Sequence, residues 1–203
     1  MIPVKHRHDK IIIVASGSSL NSFDKKSLEV LNIPTIAVNK EYWKFNADYW
    51  CTIDPAPQQN ILDDKTKNTY KYVGYKEAVT GHNVHNLKRF LINSKDQASS
   101  TNSLLCEERD TIQTHNSSYA AFNLAYHMQA KKVLLLGVDA NNYNYPENSR
   151  GWKISISKIP FLFETALPQI KKRGIEVVNG SLQSRVTCFD NMTIEGALKW
   201  IQQ

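Results

Sequence analysis

An unbroken apolar run that stops at small polar residues constrains the fold of this chain more than any other segment. Residues 11–15 read Ile-Ile-Ile-Val-Ala, and Ser16–Ser19 read Ser-Gly-Ser-Ser. A continuous β-branched run is typical of a strand buried on both faces, as in the parallel sheets of α/β proteins. We expect a turn at Ser16–Ser19 and a helix from about Asp24. Free N–H groups at a helix start point toward negative charge, so the arrangement predicts an anion site.

The turn at Ser16–Ser19 differs from both common phosphate-binding loops. It lacks the Gly-Lys-Ser/Thr end of a Walker A loop, and Gly17 is its only glycine, whereas the dinucleotide-binding fingerprint needs three. A plain connection in an α/β fold explains the turn equally well. Its meaning therefore depends on what the rest of the chain brings to the same place.

Other short apolar runs predict further strands of the same kind. Alternation of such runs with helical patterns is typical of a Rossmann-like α/β fold, in which a mostly parallel sheet carries helices on both faces. The expected strands are Lys10–Ala15, Thr35–Val38, Tyr49–Ile53, Tyr70–Val73, Lys132–Leu136 and Glu176–Val178.

Three helices are expected in the second half of the chain. The clearest covers Ser117–Gln129, because its apolar residues recur on one face and Asn116 is a good N-cap. A second covers about Pro160–Arg173, where Pro168 predicts a kink or two shorter pieces. The last begins near Thr193. Residues 93–110, which include a polar stretch without periodicity, are a candidate mobile loop or lid.

Bulk properties exclude several classes of protein. A chain of 203 residues is expected to form one domain, residues 1–203. No apolar run approaches the ~20 residues that span a bilayer, and the charged N-terminus lacks a signal-peptide apolar region. We therefore expect a cytoplasmic location, where Cys51, Cys106 and Cys188 would be free thiols rather than disulfides or zinc ligands.

The formal net charge of +6 favours anionic partners. Two of the basic clusters, Lys131–Lys132 and Lys171–Arg173, fall at expected helix C-terminal ends, where cations complement the helix dipole. Aromatic residues do not alternate with these clusters as a single-stranded nucleic-acid groove would require. Nucleic acid is therefore not an expected partner, and the oligomeric state is left open.

Polar residues follow most of the predicted strands, and the carboxyl ends of parallel strands are where open α/β sheets bind ligands. As a set these residues predict a site for a nucleotide or another phosphorylated ligand. They are Ser16, Gly17, Ser18 and Ser19 after the first strand, Asn39 after the second, Asp54 after the third, Asp139 after the strand at Lys132–Leu136, and Asn116, Ser117 and Ser118 at the start of the clearest helix.

Two blocks of the chain resemble the bacterial sialyltransferases that build lipooligosaccharide sugars. In the first block, residues 17–20 (Gly-Ser-Ser-Leu) are similar to the family's Gly-Pro-Ser-Leu type turn, and Asn39 follows the next strand ahead of an aromatic cluster. In the second, residues 116–118 (Asn-Ser-Ser) and 137–139 (Gly-Val-Asp) are similar to its Thr-Ser-Gly helix start and Gly-Ile-Asp strand end. Order and spacing match better than residue identity does.

The resemblance implies a glycosyltransferase that binds a CMP-sugar and needs no cofactor. It implies that Ser16 and Gly17 lie near the donor phosphate, Asn39 near the nucleotide and Asp54 where the family has an Asn. It places Ser117 and Ser118 at the phosphate or sugar, and it matches Tyr143 or Tyr145 to tyrosines that contact the leaving phosphate. Asp139, Tyr143 and Tyr145, together with His115, are the candidate catalytic residues.

The general base is where this chain departs from the family. The family has a His in the loop before the late helix, but residues 151–158 contain none. Displacement at a sugar carbon needs a group that accepts the acceptor's proton. His115, which precedes the expected N-cap Asn116, is the one His at the expected edge and becomes the candidate base. A non-catalytic nucleotide-binding module remains an alternative.

The same blocks also resemble uncharacterised phage- or prophage-associated proteins and, more distantly, the archaeal-type 6-hydroxymethylpterin pyrophosphokinases. The latter resemblance implies a phosphotransferase that depends on Mg²⁺, with Asp54 and Asp139 as oxygen ligands of the ion. For glycosyl transfer, by contrast, we expect no metal site. The donor sugar, the nucleotide and the acceptor are left open at this point.

Overall fold

The computed structural model describes residues 6–54, 58–90, 104–108, 110–141 and 156–203. Within them, eight strands form one sheet in which every pair is parallel, which confirms the predicted Rossmann-like α/β class. Two more strands form a small parallel sheet. The strands are β1 (Lys10–Val14), β2 (Thr35–Val38), β3 (Tyr49–Thr52), β4 (Tyr70–Val73), β5 (Val84–Asn86), β6 (Lys88–Phe90), β7 (Thr111–Gln113), β8 (Lys132–Leu136), β9 (Glu176–Asn179) and β10 (Asp190–Asn191).

The strand order of the large sheet is β10-β9-β8-β1-β2-β3-β4-β5. The chain lays down strands on one side of β1 as far as β5, and later returns to the other side of β1 with β8. Ile12 of β1 therefore pairs with Thr35 of β2 on one side and with Leu134 of β8 on the other. The direction reverses between β1 and β8, and this switch point is where open α/β sheets bind ligands.

Helices cover both faces of the sheet. One face carries α2 (Ser117–His127) and α3 (Ile159–Arg173), and the other carries α1 (Gln59–Leu62) and α4 (Ile194–Gln202). β1 shows why its sequence is apolar without a break: Ile11 and Ile13 pack toward the first face, and Ile12 and Val14 toward the second. All four side chains are fully buried.

The helix expected from Asp24 is not an α-helix. The β1–β2 connection forms two 3₁₀ segments, Ser18–Leu20 and Lys25–Val30, and Asp24 caps the second by accepting a hydrogen bond of 3.1 Å from the backbone N–H of Lys26. The second segment buries only Leu28. Without an apolar stripe, a longer helix would have nothing to pack against the sheet.

The other predicted elements agree closely with the structure. All six expected strands are present, with ends that differ by at most one residue. Of the two alternatives for Pro168, a kink or two shorter pieces, the second is excluded, because α3 is one helix with Pro168 inside it. It ends at Gly174, whose φ is +62°. The strands that the sequence did not reveal, β5, β6, β7 and β10, are three residues long or shorter.

α2 is more deeply enclosed than its sequence indicated. The expected apolar face is buried, but residues 117–126 are buried on all sides, because the helix lies between the large sheet, α3 and β7. Part of the predicted loop at 93–110 also packs here: Cys106 donates its N–H to Asn123 Oδ1 (3.2 Å), and Asn123 Nδ2 donates to Cys106 O (3.1 Å). Residues 91–103 and 109 lie outside the described residues.

Two bulk expectations can be compared with the structure. Cys51, Cys106 and Cys188 all lie in the described ranges and are free thiols. Within those ranges, none of the helices has the length and apolar character needed to cross a bilayer.

Candidate functional site

The turns that follow β1 and β8 are bonded to each other at the switch point. The buried carboxylate of Asp139 accepts hydrogen bonds from the Ser19 N–H (2.8 Å), from Ser19 Oγ (2.7 Å) and from Ser18 Oγ (3.4 Å). The sequence predicted that such donors would be free for a ligand's phosphate. In the structure, the protein's own carboxylate accepts them, so this turn presents a fixed negative charge at the edge of the sheet.

Two glycines allow this close approach of the turns. The N–H of Gly17 donates to Gly137 O at 2.8 Å. A Cβ on Gly17 would come within 3.0 Å of Gly137 O and Asp139 Oδ2, and a Cβ on Gly137, whose φ is +67°, would come equally close to Ala15 O. Gly17 therefore makes room for Asp139, whereas the resemblance placed it near a donor phosphate. Ser16, just before it, has an exposed side chain.

A second group of polar side chains, the strand-end cluster (Asn39, Thr52, Asp54 and Ser117), lies beyond β2 and β3. Thr52 Oγ1 donates to Asn39 Oδ1 at 2.8 Å, and Ser117 Oγ donates to Asp54 Oδ1 at 3.3 Å. The Asn39 side chain also hydrogen-bonds to Asp54. The structure thus brings together three residues that the sequence had placed in one set.

Burial raises the pKa of the Asp54 carboxyl group, while hydrogen bonds from Ser117 and Asn39 and the charge of Lys40 oppose the rise. The Tyr75 hydroxyl lies nearby, where burial chiefly raises its pKa and the charge of Asp54 adds to the effect. A partly buried carboxylate with adjacent hydroxyl and amide groups can accept hydrogen bonds from a ligand. The strand-end cluster is therefore equipped to hold the polar edge of a base or a ribose.

The start of α2 is capped as the sequence predicted. Asn116 Oδ1 accepts hydrogen bonds from the Ser118 N–H (2.9 Å) and from Ser118 Oγ (2.5 Å). Asn116 and Ser118 therefore have a clear structural role, because they satisfy each other at the N-terminus. Ser117, whose hydroxyl lies against Asp54, is the residue of this trio that joins the strand-end cluster.

His115, which precedes this cap, is held in one tautomer. Gln113 Nε2 donates to Leu104 O (2.9 Å), which identifies the other amide atom as the oxygen. That oxygen accepts from His115 Nδ1 at 2.7 Å. The proton is therefore on Nδ1, and Nε2 carries a lone pair. Burial lowers the pKa of His115, and the charge of Lys158 adds to this, so the imidazole is neutral near pH 7.

We expect Gln113→Glu to raise the pKa of His115 by about 1–3 units, because a carboxylate in hydrogen-bond contact stabilises the imidazolium form. In the unaltered protein the pKa should lie below 6.5. His115 is then protonated more readily in the unfolded chain than in the folded one. Its contribution to the free energy of unfolding is therefore retained above pH 6.5 and lost as the pH falls below that value.

An NMR titration of the histidine ring signals measures these values. His127, whose Nε2 donates to Thr111 O, serves as the internal control and should not respond to the substitution at position 113. A pKa of His115 at or above 6.5 in the unaltered protein would contradict the expected lowering of this pKa by burial and by the charge of Lys158.

A crevice of about 270 Å³ opens beside the switch point, between the end of β9 and the start of α4. Asp139, Ser18 and Ser19 form one wall, so the crevice continues from the bonded turns. The residues after β9 and before α4 complete the lining, namely Gly180, Ser181, Leu182, Gln183, Met192, Thr193 and Ile194, with Asn141 at the β8 side. We refer to it as the β9–α4 crevice.

A larger cleft of about 460 Å³ lies at the opposite, amino edge of the strands and includes Arg7, Lys131 and Arg173. Lys131 and Arg173 already bind the C-terminal ends of helices. Arg173 Nη1 donates to Tyr126 O and Lys131 Nζ to Arg173 O, both at 3.3 Å. This agrees with the sequence interpretation of the basic clusters, and we place the functional site at the carboxyl edge because ligands bind there in this class of sheet.

The remaining sequence candidates are not part of either group. Four of the five aromatic residues between 42 and 50 are buried in the core, and only Trp43 is substantially exposed. The described residues contain no group of three His, Cys, Asp or Glu side chains suited to a metal ion. Tyr143 and Tyr145 lie outside the described residues.

Comparisons with known proteins do not identify the chain. No family model, no curated protein and no solved structure matches it.

Several residues of this edge were missed by sequence reasoning. Gly180 and Ser181 follow β9 in the same way that Gly17 and Ser18 follow β1, so the signal of small polar residues after an apolar run was present. Gln113 carried no such signal. Its role depends on a contact with His115 whose geometry is set by β7 and Leu104.

Proposed function

We propose that the protein binds a nucleotide sugar along the carboxyl edge of the sheet and transfers its glycosyl group. The observation that supports this most strongly is the pair of bonded turns at the switch point between β1 and β8, which hold the Asp139 carboxylate beside an open crevice. A fixed carboxylate at this position of a Rossmann-like sheet is suited to binding the hydroxyl groups of a sugar nucleotide.

The strand-end cluster binds the nucleotide part of the ligand in this proposal. Asn39, Asp54 and Ser117 offer both acceptors and donors, as the polar edge of a base requires. α2, eleven residues long, begins at Ser117 and directs the positive end of its dipole toward the same edge. That dipole stabilises the negative charge that grows on the departing phosphate in the transition state.

His115 Nε2 is the proposed general base. The acceptor oxygen forms a bond to the anomeric carbon of the donor while the bond from that carbon to the phosphate oxygen breaks. The proton of the acceptor hydroxyl moves to the lone pair of Nε2, and the nucleotide leaves with the electron pair of the broken bond. Gln113 supports this role by keeping the opposite ring nitrogen protonated.

Magnesium-dependent phosphotransfer fits the described residues less well. Asp139 already accepts three hydrogen bonds from the β1 turn, and Asp54 is hydrogen-bonded to Ser117 and Asn39. A carboxylate has about four lone pairs, so the one or two that remain suit a single hydroxyl group better than a hard cation that prefers octahedral oxygen ligands. We therefore favour glycosyl transfer without a metal.

Thermal unfolding in the presence of CMP, CDP, UDP, GDP, ADP or ATP, with and without Mg²⁺, tests the binding. A ligand at 100 times its dissociation constant adds about 2.7 kcal/mol, which raises the Tm of a chain of this size by several degrees. We expect stabilisation by a cytidine nucleotide without the metal. Absence of a shift with all six nucleotides would contradict the proposal, and a shift only with a triphosphate plus Mg²⁺ would favour phosphotransfer.

Two substitutions locate the binding to the strand-end cluster. We expect Ser117→Ala and Asn39→Gly to weaken nucleotide binding about tenfold each, the loss of roughly one charge-assisted hydrogen bond. Glycine is the better choice at position 39 because Asn39 has φ of +53°, which alanine would adopt only with strain. Ser22→Ala is the matched control, since Ser22 is exposed. Equal nucleotide affinities in all variants would show that the strand-end cluster does not contact the nucleotide.

A further inference from the structure

We infer that the β9–α4 crevice binds the hydroxyl groups of one sugar ring. The identity of that ring rests on the proposed function, in which it is either the ribose or the transferred sugar of the nucleotide sugar. Its basis is the buried, unpaired hydroxyl group of Ser181, a residue that neither the sequence patterns nor the resemblance selected.

Ser181 is the central residue of the crevice. It is only 4 % exposed, and its Oγ has no hydrogen-bond partner among the described residues. The hydroxyl nevertheless belongs to a side chain that lines the crevice. Buried hydroxyl groups in folded proteins are normally paired, so an unpaired one at a cavity wall indicates a partner supplied by a ligand.

The acceptor on the crevice wall determines the chemistry of the ligand. The Asp139 carboxylate lines the crevice and can only accept hydrogen bonds, so this part of the ligand must donate. A phosphate would be repelled by Asp139. Thr193 Oγ1 already accepts from the Gly196 N–H (3.1 Å), so its own hydrogen is available to donate. Hydroxyl groups both donate and accept, and therefore satisfy all of these atoms together.

The size and the opposite wall of the crevice also fit a sugar ring. Its volume of about 270 Å³ is below the range of about 300–1,000 Å³ in which whole drug-sized ligands are bound. Leu182, Met192 and Ile194 supply apolar surface opposite the polar atoms. A sugar ring has a hydroxyl edge and a C–H face, which matches this division.

The test uses amide NMR of the ¹⁵N-labelled full chain with three probes: methyl β-D-ribofuranoside, methyl α-D-glucopyranoside and inorganic phosphate. We expect at least one glycoside to shift the signals of Gly180, Ser181 and Thr193 in a saturable way. A response to the riboside alone assigns the ribose to the crevice, and a response to the hexoside alone assigns the transferred sugar. Phosphate should leave these signals unchanged. No response to either glycoside, or an equal response to phosphate, would overturn the inference.

Ser181→Ala provides the matched variant. The substitution removes an unpaired hydroxyl and little volume, so we expect an unchanged Tm together with glycoside affinity lowered at least fivefold. Ser22→Ala should bind as the unaltered protein does. Glycoside affinity that is the same in Ser181→Ala and in the unaltered protein would place the sugar elsewhere.

CMP and 2′,3′-dideoxy-CMP separate this inference from the proposed function. Suppose that CMP binds and shifts only signals outside residues 180–194, and that neither glycoside shifts the signals of residues 180–194. The crevice is then not a sugar site, and the proposed function stands. If the glycosides bind as expected and none of the nucleotides does, the crevice inference stands and the nucleotide proposal fails. If the unaltered protein binds 2′,3′-dideoxy-CMP more weakly than CMP, and Ser181→Ala binds the two compounds equally, the ribose is the ring that occupies the crevice.

Discussion

Replacing Gly137 by alanine is expected to destabilise the protein by about 2–5 kcal/mol, the sum of a left-handed backbone penalty and an overpacking term. Gly137 has φ of +67°, and a Cβ there would come within 3.0 Å of Ala15 O and of Leu20 Cδ1. The backbone of Ala15 cannot move away easily, because its N–H donates to Leu136 O at 2.8 Å. The strain would separate the two turns at the switch point.

Gly174→Ala is the matched control for this substitution. Gly174 has a similar φ of +62°, but a Cβ there would have no atom within 4 Å among the described residues. It should therefore cost only the backbone penalty of about 1–2 kcal/mol. Urea denaturation of both variants measures the difference. Equal losses in the two variants would show that the close approach of the turns contributes nothing to stability.

Asp139→Ala is expected to lower the free energy of unfolding by about 2–3 kcal/mol, because a buried carboxylate that accepts from the β1 turn is removed and the Ser19 N–H loses its acceptor. We also expect the variant to lose ligand binding at the crevice. Asp139→Asn keeps the shape and one acceptor oxygen, so it should retain most of the stability while still weakening the binding of hydroxyl groups.

A double-mutant cycle isolates the contact with the turn. Ser19→Ala removes the hydroxyl that lies 2.7 Å from Asp139 Oδ1. Because the two residues share this bond, the loss in the double variant should be smaller than the sum of the single losses by about 1 kcal/mol. Additive losses would mean that Asp139 acts on stability through other contacts. Asp24→Ala is a useful reference, since this exposed cap should cost about 1 kcal/mol.

Elements with strong local signals were predictable. The apolar run of β1 and the pattern of α2 each specify one conformation over many residues, and the Asn116 cap forms as expected. The helix expected from Asp24 forms with Asp24 as its N-cap, but it is the 3₁₀ segment Lys25–Val30, because the apolar stripe that an α-helix would pack against the sheet is absent. Short polar strands such as β10 have no sequence signal of their own, since they depend on a neighbouring strand.

The candidate site was predictable as a location and not as a set of contacts. Parallel strands bring their carboxyl ends to one edge, so Asn39, Asp54 and Ser117 could be grouped from the sequence. The partner of each donor could not be foreseen. The sequence of the turn would be the same whether its N–H groups were free or bound to Asp139. The two cases differ only in the distance between two turns that lie about 120 residues apart in the chain.

The sequence by itself determined that this chain builds a parallel α/β sheet with polar residues collected at one edge, because burial on both faces demands the apolar runs and their ends must then be polar. The tertiary structure alone decided which of those residues bind one another and which have no partner among the described residues. Pairing β1 with β8 places the Asp139 carboxylate on the β1 turn, whereas the Ser181 hydroxyl group is buried without a partner in the described chain. Both outcomes depend on contacts between residues that are far apart in the sequence and close in space. Local sequence patterns do not reveal such contacts.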